Sequence, residues 1–288
     1  VWHGTKCIGS RECDAACPED ALLRSGDEIE IDRGRCTVCG ECVDQCPAAA
    51  FELWGTRWSL DDLVREVAKD RSYFETSGGG VTVSGGDPAL YTPFVAAFLE
   101  RCRTLGLHAA LDTCGMCSQS NLQTLAGRAD LVLYDLKEID PERHTRFTGQ
   151  PNQRILANLV ALAEQMRQSQ LPADLWIRTP LIPGATLTEE NIRGIGAFIA
   201  REVGDVVTRW ELCAFNNLAG DKYRRLGLRW EFEGVELLRE ADLRHFEEVG
   251  RQSGVDPEIV LATGRTLVER AGESPAMSQS PADERTDG

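Results

Sequence analysis

Most of the chain's cysteines lie in one short region that contains two copies of the same segment. Residues 6–47 hold seven of the eleven cysteines. KCIGSRECDAACP, the first copy, aligns without a gap on RCTVCGECVDQCP, the second. The corresponding cysteines are Cys7 and Cys36, Cys13 and Cys42, and Cys17 and Cys46. Cys39 of the second copy has Ser10 as its counterpart, so the two halves of this region carry unequal numbers of thiols.

The second copy is a C-x2-C-x2-C-x3-C-P run, which bacterial ferredoxins with two clusters use to ligate iron–sulfur clusters. In such runs the first three cysteines hold one cluster and the fourth crosses to the other. This rule predicts one complete set of Cys17, Cys36, Cys39 and Cys42. It predicts a second set of Cys7, Cys13 and Cys46, with Ser10 at the fourth corner. A serine alkoxide could fill that corner, the cluster could have three irons, or the site could be empty.

Two other uses of cysteine fit this pattern less well. Disulfide frameworks are typical of short secreted chains, whereas this chain has 288 residues and an odd number of cysteines. Structural zinc sites pair two C-x2-C units across a longer gap and do not require a trailing proline. The repeat therefore favours iron–sulfur clusters, for which thiolates are suitably soft ligands.

Composition and charge exclude several classes of protein. The formal net charge is −15 and no basic stripe is present to meet nucleic-acid phosphates. No apolar run is long enough to cross a membrane, and no signal peptide is visible. Together with the thiol-rich pattern, these features predict a cytoplasmic protein without nucleic-acid or membrane partners.

After Trp54 the cysteine density falls and strands alternate with helices. Strands are predicted at 80–84, 108–113, 130–137, 175–182, 207–215 and 258–262. Helices are predicted at 60–70 (capped by Ser59), 92–106, around Asn121, 158–168, 188–202 and 236–252. Alternation at this spacing predicts an α/β fold with a parallel sheet.

Polar motifs follow five consecutive strands, at the ends where the sites of parallel α/β folds lie. The motifs are SGGDP, DTCG, DLK, RTPLIPG and FNNLAGDKY. Gly85 and Gly86 would let the backbone approach a ligand closely. The charged candidates are Asp112, Asp135, Lys137 and Arg178. They could surround a zwitterionic or charged ligand, or form salt bridges within the rim. We expect the five motifs to form one active-site rim.

From about Lys6 to Leu228 the sequence resembles the radical S-adenosylmethionine (SAM) enzymes that activate glycyl-radical enzymes, such as pyruvate formate-lyase activases with a ferredoxin-like insert. Besides the cysteine repeat, the resemblance is carried by S-G-G-[E/D]-P (84–88), D-T-x-G (112–115), D-L-K (135–137), T-G-x-x-N (148–152), I-R-x-P-x-I-P-G (177–184) and K-Y-x-x-L-G (222–227). Each motif alone is weak, but together they are specific.

The resemblance implies a partial (β/α)6 TIM-like barrel with a small bacterial-ferredoxin-like [4Fe-4S] insert domain. SAM would bind across the strand ends, with the backbone of 84–86 at its methionyl amino group. The cofactor-binding residues so implied are Ser84, Gly85, Gly86, Asp87, Asp112, Thr113, Asp135, Lys137, Arg178 and Asn216. Of these, Asp112, Thr113 and Asp135 would correspond to residues around SAM and a monovalent cation.

The resemblance also implies a reaction and its partners. One-electron reduction of SAM would give a 5′-deoxyadenosyl radical, which removes a hydrogen from a glycine Cα of a large glycyl-radical enzyme. Flavodoxin or a ferredoxin would donate electrons, and the clusters of the ferredoxin-like domain would relay them to the site.

Several features depart from the family pattern. The C-x3-C-x2-C motif that holds the SAM-cleaving cluster does not occur in the sequence. We expect it, with the first barrel strand and a third, SAM-binding cluster, to precede Val1 in a longer protein. The chain as given has no site for that cluster, so by itself it is expected to be inactive. Asn216 stands where related proteins often carry a histidine, and unlike histidine it cannot be protonated. Asp87 stands in place of the more usual glutamate.

Three segments are predicted: a ferredoxin-like iron–sulfur domain at 1–54, a partial radical SAM barrel at 55–272, and a disordered tail at 273–288, which is polar and rich in Pro and Ser. Cys102 and Cys213 are interpreted as buried thiols, whereas Cys114 and Cys117 lie near the rim without matching a cluster motif. Two other functions stay open: a radical SAM enzyme acting on a peptide or small molecule, and a non-catalytic electron-transfer or binding protein.

Overall fold

The computed structural model describes residues 1–169 and 171–267. Its first part contains two short helices, α1 (Glu12–Ala16) and α2 (Glu41–Asp44), and an antiparallel hairpin of β1 (Leu22–Ser25) and β2 (Glu28–Ile31). The predicted tail at 273–288 and the last residues of the predicted barrel lie outside the described residues.

The sequence repeat is also a repeat of backbone conformation. Positive φ angles recur at corresponding positions of the two copies: Gly9 and Val38, Arg11 and Gly40, and Asp20 and Ala49. A positive φ is uncommon for residues other than glycine, above all for a β-branched valine. Such positions are held only when the surrounding structure requires them, so both copies form the same turns around their cysteines.

A small hydrophobic core holds this cysteine-rich part together. Cys13, Ile29 and Phe51 are buried, and Trp2 packs against them. An isolated antiparallel bridge joins Trp2 to Phe51 and so ties the two ends of the segment together. A second, much larger core contains most of the buried hydrophobic residues of the described chain from Val64 onwards. The predicted boundary near Trp54 stays a prediction.

A six-stranded, all-parallel sheet forms the second part. Its strands are β3 (Val81–Val83), β4 (Ala109–Thr113), β5 (Leu131–Asp135), β6 (Asp174–Leu181), β7 (Arg209–Ala214) and β8 (Val260–Thr263). Neighbours in the sheet are also neighbours in the sequence, in the order β3-β4-β5-β6-β7-β8. The predicted strands and the parallel α/β class are therefore confirmed.

Helices connect these strands. They are α3 (Leu60–Ala68), α4 (Arg71–Ser77), α5 (Thr92–Thr104), α6 (Gln119–Ala126), α7 (Pro141–Thr148), α8 (Gln153–Ser169), α9 (Glu189–Glu202), α10 (Ala219–Arg225) and α11 (Glu240–Arg251). Ser59 caps α3 through the Asp62 amide, as predicted. The short helices α4, α7 and α10 were not predicted, because they lack an apolar stripe of helical period. Among residues 1–169 and 171–267, no helix combines the length and apolar character needed to span a bilayer.

Sequential parallel order gives the sheet one covered face and one open face. Right-handed crossovers place successive helices on the same side of such a sheet, as in a barrel. On β6 the fully buried side chains are Leu175, Ile177, Thr179 and Leu181, and the alternate residues are only half-buried. The same alternation occurs on β7. The half-buried residues therefore face the concave inner side, and the barrel is open between β3 and β8.

Candidate active site

The carboxyl ends of the parallel strands bring the predicted motifs to one edge. Register across the sheet places Asp135 of β5 level with Arg178 of β6, and Arg178 level with Glu211 of β7. Asp112 lies one residue before the end of β4, level with Leu133. Because these residues are half-buried members of alternating strands, their side chains share the concave face.

The charged side chains at this edge form a continuous chain of contacts. Ser84 Oγ donates to Asp112 Oδ2 at 2.9 Å. Arg178 lies between two carboxylates, with Nη1 3.4 Å from Asp112 Oδ2 and Nε 3.7 Å from Asp135 Oδ1. Lys137 Nζ is 3.3 Å from Asp135 Oδ2. These distances are longer than those of tight bidentate ion pairs, so each group retains capacity for a ligand.

In this cluster of charged side chains, burial and the neighbouring charges shift the pKa values in opposite directions. Burial raises the pKa of the Asp135 carboxyl, although Lys137 and Arg178 both favour its charged form. Burial also disfavours the charge of Arg178, but Asp135 and Asp112 outweigh it and raise the pKa of the guanidinium. The edge thus holds two carboxylates and two cations in partly desolvated positions, where they interact more strongly than in water.

The glycine-containing loop after β3 leaves open space above the edge. A side chain at Gly86 would meet no atom within 4 Å, and the same holds for Gly85. Gly85 has φ +135°, a conformation that residues with a side chain rarely adopt. The loop therefore exposes backbone to the space in front of the sheet, where a ligand can approach it.

Asp87 and Thr113 lie at the edge, but their side chains bond to each other. Thr113 Oγ1 donates to Asp87 Oδ2 at 2.9 Å, and the Cys114 amide donates to the same oxygen at 3.2 Å. Asp87 also caps the turn at 88–91 by accepting from the Ala89 amide. Thr113 is 3% exposed and accepts from the Gly115 amide. These two side chains fix the loop after β3 to the loop after β4.

Three buried asparagines form hydrogen bonds with the backbone of the loops that follow the strands. The sequence did not predict this role. Asn191 Nδ2 donates to the carbonyls of Lys137 and Thr186, and its Oδ1 accepts from the Ile139 amide. Asn152 donates to the carbonyls of residues 138 and 139. Asn158 donates to the carbonyls of residues 115 and 117. Asn158 lies on α8 and Asn191 on α9, whereas Asn152 directly precedes α8. An asparagine on the apolar face of a predicted helix is the sequence signal for the first two, since a buried amide needs partners.

Asn216 lies apart from the charged cluster. Its side chain is exposed and its Oδ1 accepts from the Leu218 amide at 3.2 Å, which closes a turn after β7. Behind the turn, Phe215 stacks on Trp230 with ring centroids 6.0 Å apart. Leu218 is 79% exposed. The structure thus places Asn216 at the rim of the open edge rather than among the ion pairs.

Four cysteines from both copies of the repeat share one cavity. Cys17, Cys36, Cys39 and Cys42 line a space of about 60 Å³. Burial raises the pKa of Cys42, and the neighbouring thiols Cys36, Cys17 and Cys39 raise it further. Four thiolates crowded in this way are stable only when cations neutralise them, as iron does. This grouping is the complete set that the spacing rule predicts, and it fits a cluster.

No three ligand side chains in the described parts of the chain converge on a single ion-sized point. A multinuclear cluster does not require such convergence, because its thiolates bind different iron atoms. In the second predicted set, Cys13 is buried in the small core and Cys46 packs against that core. Cys7 and Cys13 both lie within electrostatic range of the Arg24 guanidinium.

The remaining cysteines occupy three different environments. Cys102 is fully buried, as expected. Cys213 is only half-buried and lies on the concave face beside Arg178, which corrects its interpretation as an ordinary buried thiol. Burial raises the pKa of Cys114, and it raises that of Cys117 to about 11 with help from Asp87 and Cys114. Neither belongs to the two predicted cluster sets, and Cys114 Sγ donates to Asp87 Oδ2 at 3.3 Å.

Two family models match the chain. Residues 33–193 match the model described as the Radical SAM superfamily. Residues 1–47 match the model described as a 4Fe-4S dicluster domain. The first match covers more than half of the chain, and the second covers the cysteine repeat.

Curated and solved relatives agree with these matches. The chain is 34% identical over 250 residues to the (2S)-3-sulfopropanediol dehydratase activating enzyme of Klebsiella oxytoca, covering 85% of this chain and 77% of that protein. It is 35% identical over 250 residues to the pyruvate formate-lyase 2-activating enzyme of Escherichia coli K12, covering 84% and 82%.

A domain of the pyruvate-formate lyase-activating enzyme from Bacteroides vulgatus has a similar structure, with a TM-score of 0.50 and 26% identity over 65% of this chain and 98% of that one. The open parallel sheet, the cysteine repeat and the relatives thus agree. The chain belongs to the radical SAM superfamily and, within it, to the activating enzymes of glycyl-radical enzymes.

Proposed function

We propose that the edge formed by the ends of β3 to β6 binds SAM, and that this chain uses SAM to form a glycyl radical on a partner enzyme. Radical SAM activating enzymes catalyse SAM cleavage and glycyl-radical formation. The observation that carries the assignment is the chain of contacts that runs from the exposed Ser84 through the half-buried Asp112, Arg178 and Asp135 to Lys137. It offers both signs of charge to a zwitterion.

Different residues of the edge would bind different groups of SAM. Carbonyls exposed by the loop at 84–86 accept hydrogen bonds from the methionyl ammonium group. Arg178 and Lys137 provide the positive charge that a carboxylate needs, and Asp112 and Asp135 keep both cations in place. One-electron reduction of SAM, with release of methionine, would supply the 5′-deoxyadenosyl radical that removes hydrogen from glycine. Asn216 lies where it can contact the outer end of the ligand.

Asp87 and Thr113 act by positioning. Their mutual hydrogen bonds join the loops that follow β3 and β4, so that the ligand-facing backbone at 84–86 is held at a fixed distance from Asp112. We further propose that Asp112 and Asp135 provide oxygens for a monovalent cation, a role that suits hard carboxylate ligands.

The cysteine repeat holds the auxiliary clusters. Cys17, Cys36, Cys39 and Cys42 would hold one four-iron cluster, and Cys7, Cys13 and Cys46, with Ser10 at the fourth corner, would hold a second. Support comes from the shared cavity of the first set and from the match to a dicluster model. A reduced flavodoxin or ferredoxin would be the electron donor, and the clusters held by these cysteines would supply one-electron transfer toward the edge.

Electron paramagnetic resonance tests this function against its alternatives. A form of the protein that carries a C-x3-C-x2-C loop is loaded with iron, reduced and mixed with SAM, with and without a candidate glycyl-radical enzyme. We expect a glycyl radical that appears only when both are present. SAM cleavage without a radical on any partner would instead favour an enzyme acting on a peptide or small molecule. SAM binding without cleavage would favour a binding or electron-transfer protein.

A further inference from the structure

A buried carboxylate follows the D-L-K motif at the end of β5. Past the strand end, buried residues still alternate with half-buried ones: Leu136 and Glu138 are 0% and 2% exposed, and Lys137 between them is half-buried. Glu138 thus occupies a position on the covered side of the sheet where an apolar side chain would be expected. A charged group is found at such a position only when it is paired, so its partners indicate its role.

The Glu138 carboxylate joins three segments of the chain. Its Oε1 accepts from the Asp140 amide at 3.1 Å, and its Oε2 accepts from Arg143 Nε at 2.9 Å. Both partners belong to the start of α7, whose N-cap is Asp140. Arg143 Nη2 also donates to the carbonyl of Ala185, in the turn after β6. One ion pair therefore links the loop that carries Lys137, the first turn of α7 and the loop after β6.

Glu138 extends the set of contacts that fix this loop. Asn191 donates to the Lys137 carbonyl, and Asn152 donates to the carbonyls of the next two residues. The Glu138 side chain adds attachments to α7 and to the turn after β6. Because Lys137 and Glu138 are adjacent and their side chains lie on opposite faces, anchoring Glu138 on the covered side turns Lys137 toward the open edge. There Lys137 Nζ lies 3.3 Å from Asp135 Oδ2.

Stability alone does not account for a charged pair at this position. The attraction between two charges is offset by the cost of removing them from water, and apolar side chains of similar volume are often as stabilising or more so. Glu138 is 2% exposed, and the side chain of its partner Arg143 is 43% exposed. We propose that the Glu138–Arg143 pair positions Lys137 to bind the carboxylate of SAM, without contacting SAM itself. This inference rests on the SAM site proposed above.

An apolar replacement of the pair separates positioning from stability. The double variant Glu138→Leu/Arg143→Met is made in the form of the protein that carries a C-x3-C-x2-C loop, loaded with iron. We expect its SAM affinity, measured by equilibrium dialysis, to fall about fivefold, within the range of couplings between contacting residues. The urea midpoint should not fall, because the apolar pair fills the space without a buried charge. A merely structural role would instead lower the midpoint and leave the SAM affinity of the folded protein unchanged.

A double-mutant cycle with Lys137→Met tests whether the pair acts through Lys137. Lys137→Met alone should weaken SAM binding, because it removes a positive charge from the site of the ligand carboxylate. In that background, the Glu138→Leu/Arg143→Met replacement should have little further effect on SAM affinity, since the side chain that the pair positions is gone.

Two single variants complete the test. Arg143→Lys keeps the charge but lacks the planar fork that lets Arg143 bond to Glu138 and to the Ala185 carbonyl at once. Its SAM affinity should lie between those of the wild type and the double variant, and it takes the place of the double variant if that one does not fold. Arg146→Met is the control, because Arg146 is exposed on α7 and lies 5.2 Å from the centroid of the Phe147 ring. It should bind SAM as the wild type does.

The outcomes distinguish this inference from the proposed function. Wild-type SAM affinity in the variants of the pair, or fully additive losses in the cycle, would overturn the inference. The proposed SAM site would still stand if Lys137→Met weakened binding in the same assay. Unchanged SAM affinity in Lys137→Met would overturn both the contact of Lys137 with SAM and its positioning by the pair.

Discussion

At the scale of single residues, the adjacent Gly85 and Gly86 differ in why a side chain would be unfavourable. Gly85 has φ +135°, whereas Gly86 has no such backbone requirement and no neighbour within 4 Å. A side chain at Gly85 strains the backbone. A methyl group at Gly86 enters only the open space in front of the sheet. Substitutions at the two positions therefore test backbone strain and ligand binding separately.

We predict that Gly86→Ala weakens SAM binding at least about tenfold, or about 1.4 kcal/mol, because the methyl group occupies the space the ligand needs. Its free energy of unfolding should stay within about 0.5 kcal/mol of the wild type. Equilibrium dialysis with SAM and urea unfolding measure the two quantities. Unchanged SAM affinity would contradict the placement of the ligand at this loop.

Two matched variants serve as controls for Gly86→Ala. Gly85→Ala should lower the free energy of unfolding by about 1–3 kcal/mol through backbone strain. Gly34→Ala lies in the small cysteine-rich part, where its methyl would meet only Asp32 Oδ1 at 3.3 Å. It should leave SAM binding unchanged.

At the scale of elements, buried asparagines of helices α8 and α9 form hydrogen bonds with loops at the carboxyl ends of the strands. Asn191 makes three hydrogen bonds to the loops after β5 and β6, including one to the Lys137 carbonyl. It is 1% exposed, so no water can replace these bonds. The position of Lys137 thus depends on a helix more than fifty residues further along the chain.

We predict that Asn191→Ala lowers the free energy of unfolding by about 1–3 kcal/mol, because it leaves two carbonyls and an amide unpaired in a buried place. Urea unfolding at constant m-value measures the change. Asn217→Ala provides the control, since this exposed asparagine should cost less than about 0.5 kcal/mol. Equal effects of the two substitutions would show that the Asn191 bonds do not stabilise the fold.

At the scale of the whole molecule, the cysteine-rich part and the sheet meet at an aromatic contact. The Arg225 guanidinium of α10 lies 5.1 Å from the centroid of the Trp54 ring, a cation–π geometry. Cys17, although it belongs to the first copy, lines the cavity of the second copy's cysteines. This set of four cysteines therefore draws on both copies, and the small part should assemble as one unit.

We predict that Cys17→Ser and Cys39→Ser lose the same four-iron cluster, although they lie in different copies. Iron and acid-labile sulfide per chain should fall by the content of one four-iron cluster in each variant. Both variants should lose the same electron paramagnetic resonance signal. Cys117→Ser should leave both contents unchanged, because this protonated thiol belongs to neither set. Different signals lost in Cys17→Ser and Cys39→Ser would contradict the crossed arrangement.

The sequence alone predicted the strand positions, the motifs at the strand ends and the four cysteines that share a cavity, because spacing and periodicity are local properties of a chain. Only the tertiary structure showed that Asp87 and Thr113 bond to each other, that Asn191 holds Lys137, and that Cys213 lies beside Arg178. These relations depend on the register between strands that are far apart in sequence, and a shift of one residue reverses the face of every side chain. Register arises from the packing of the whole sheet.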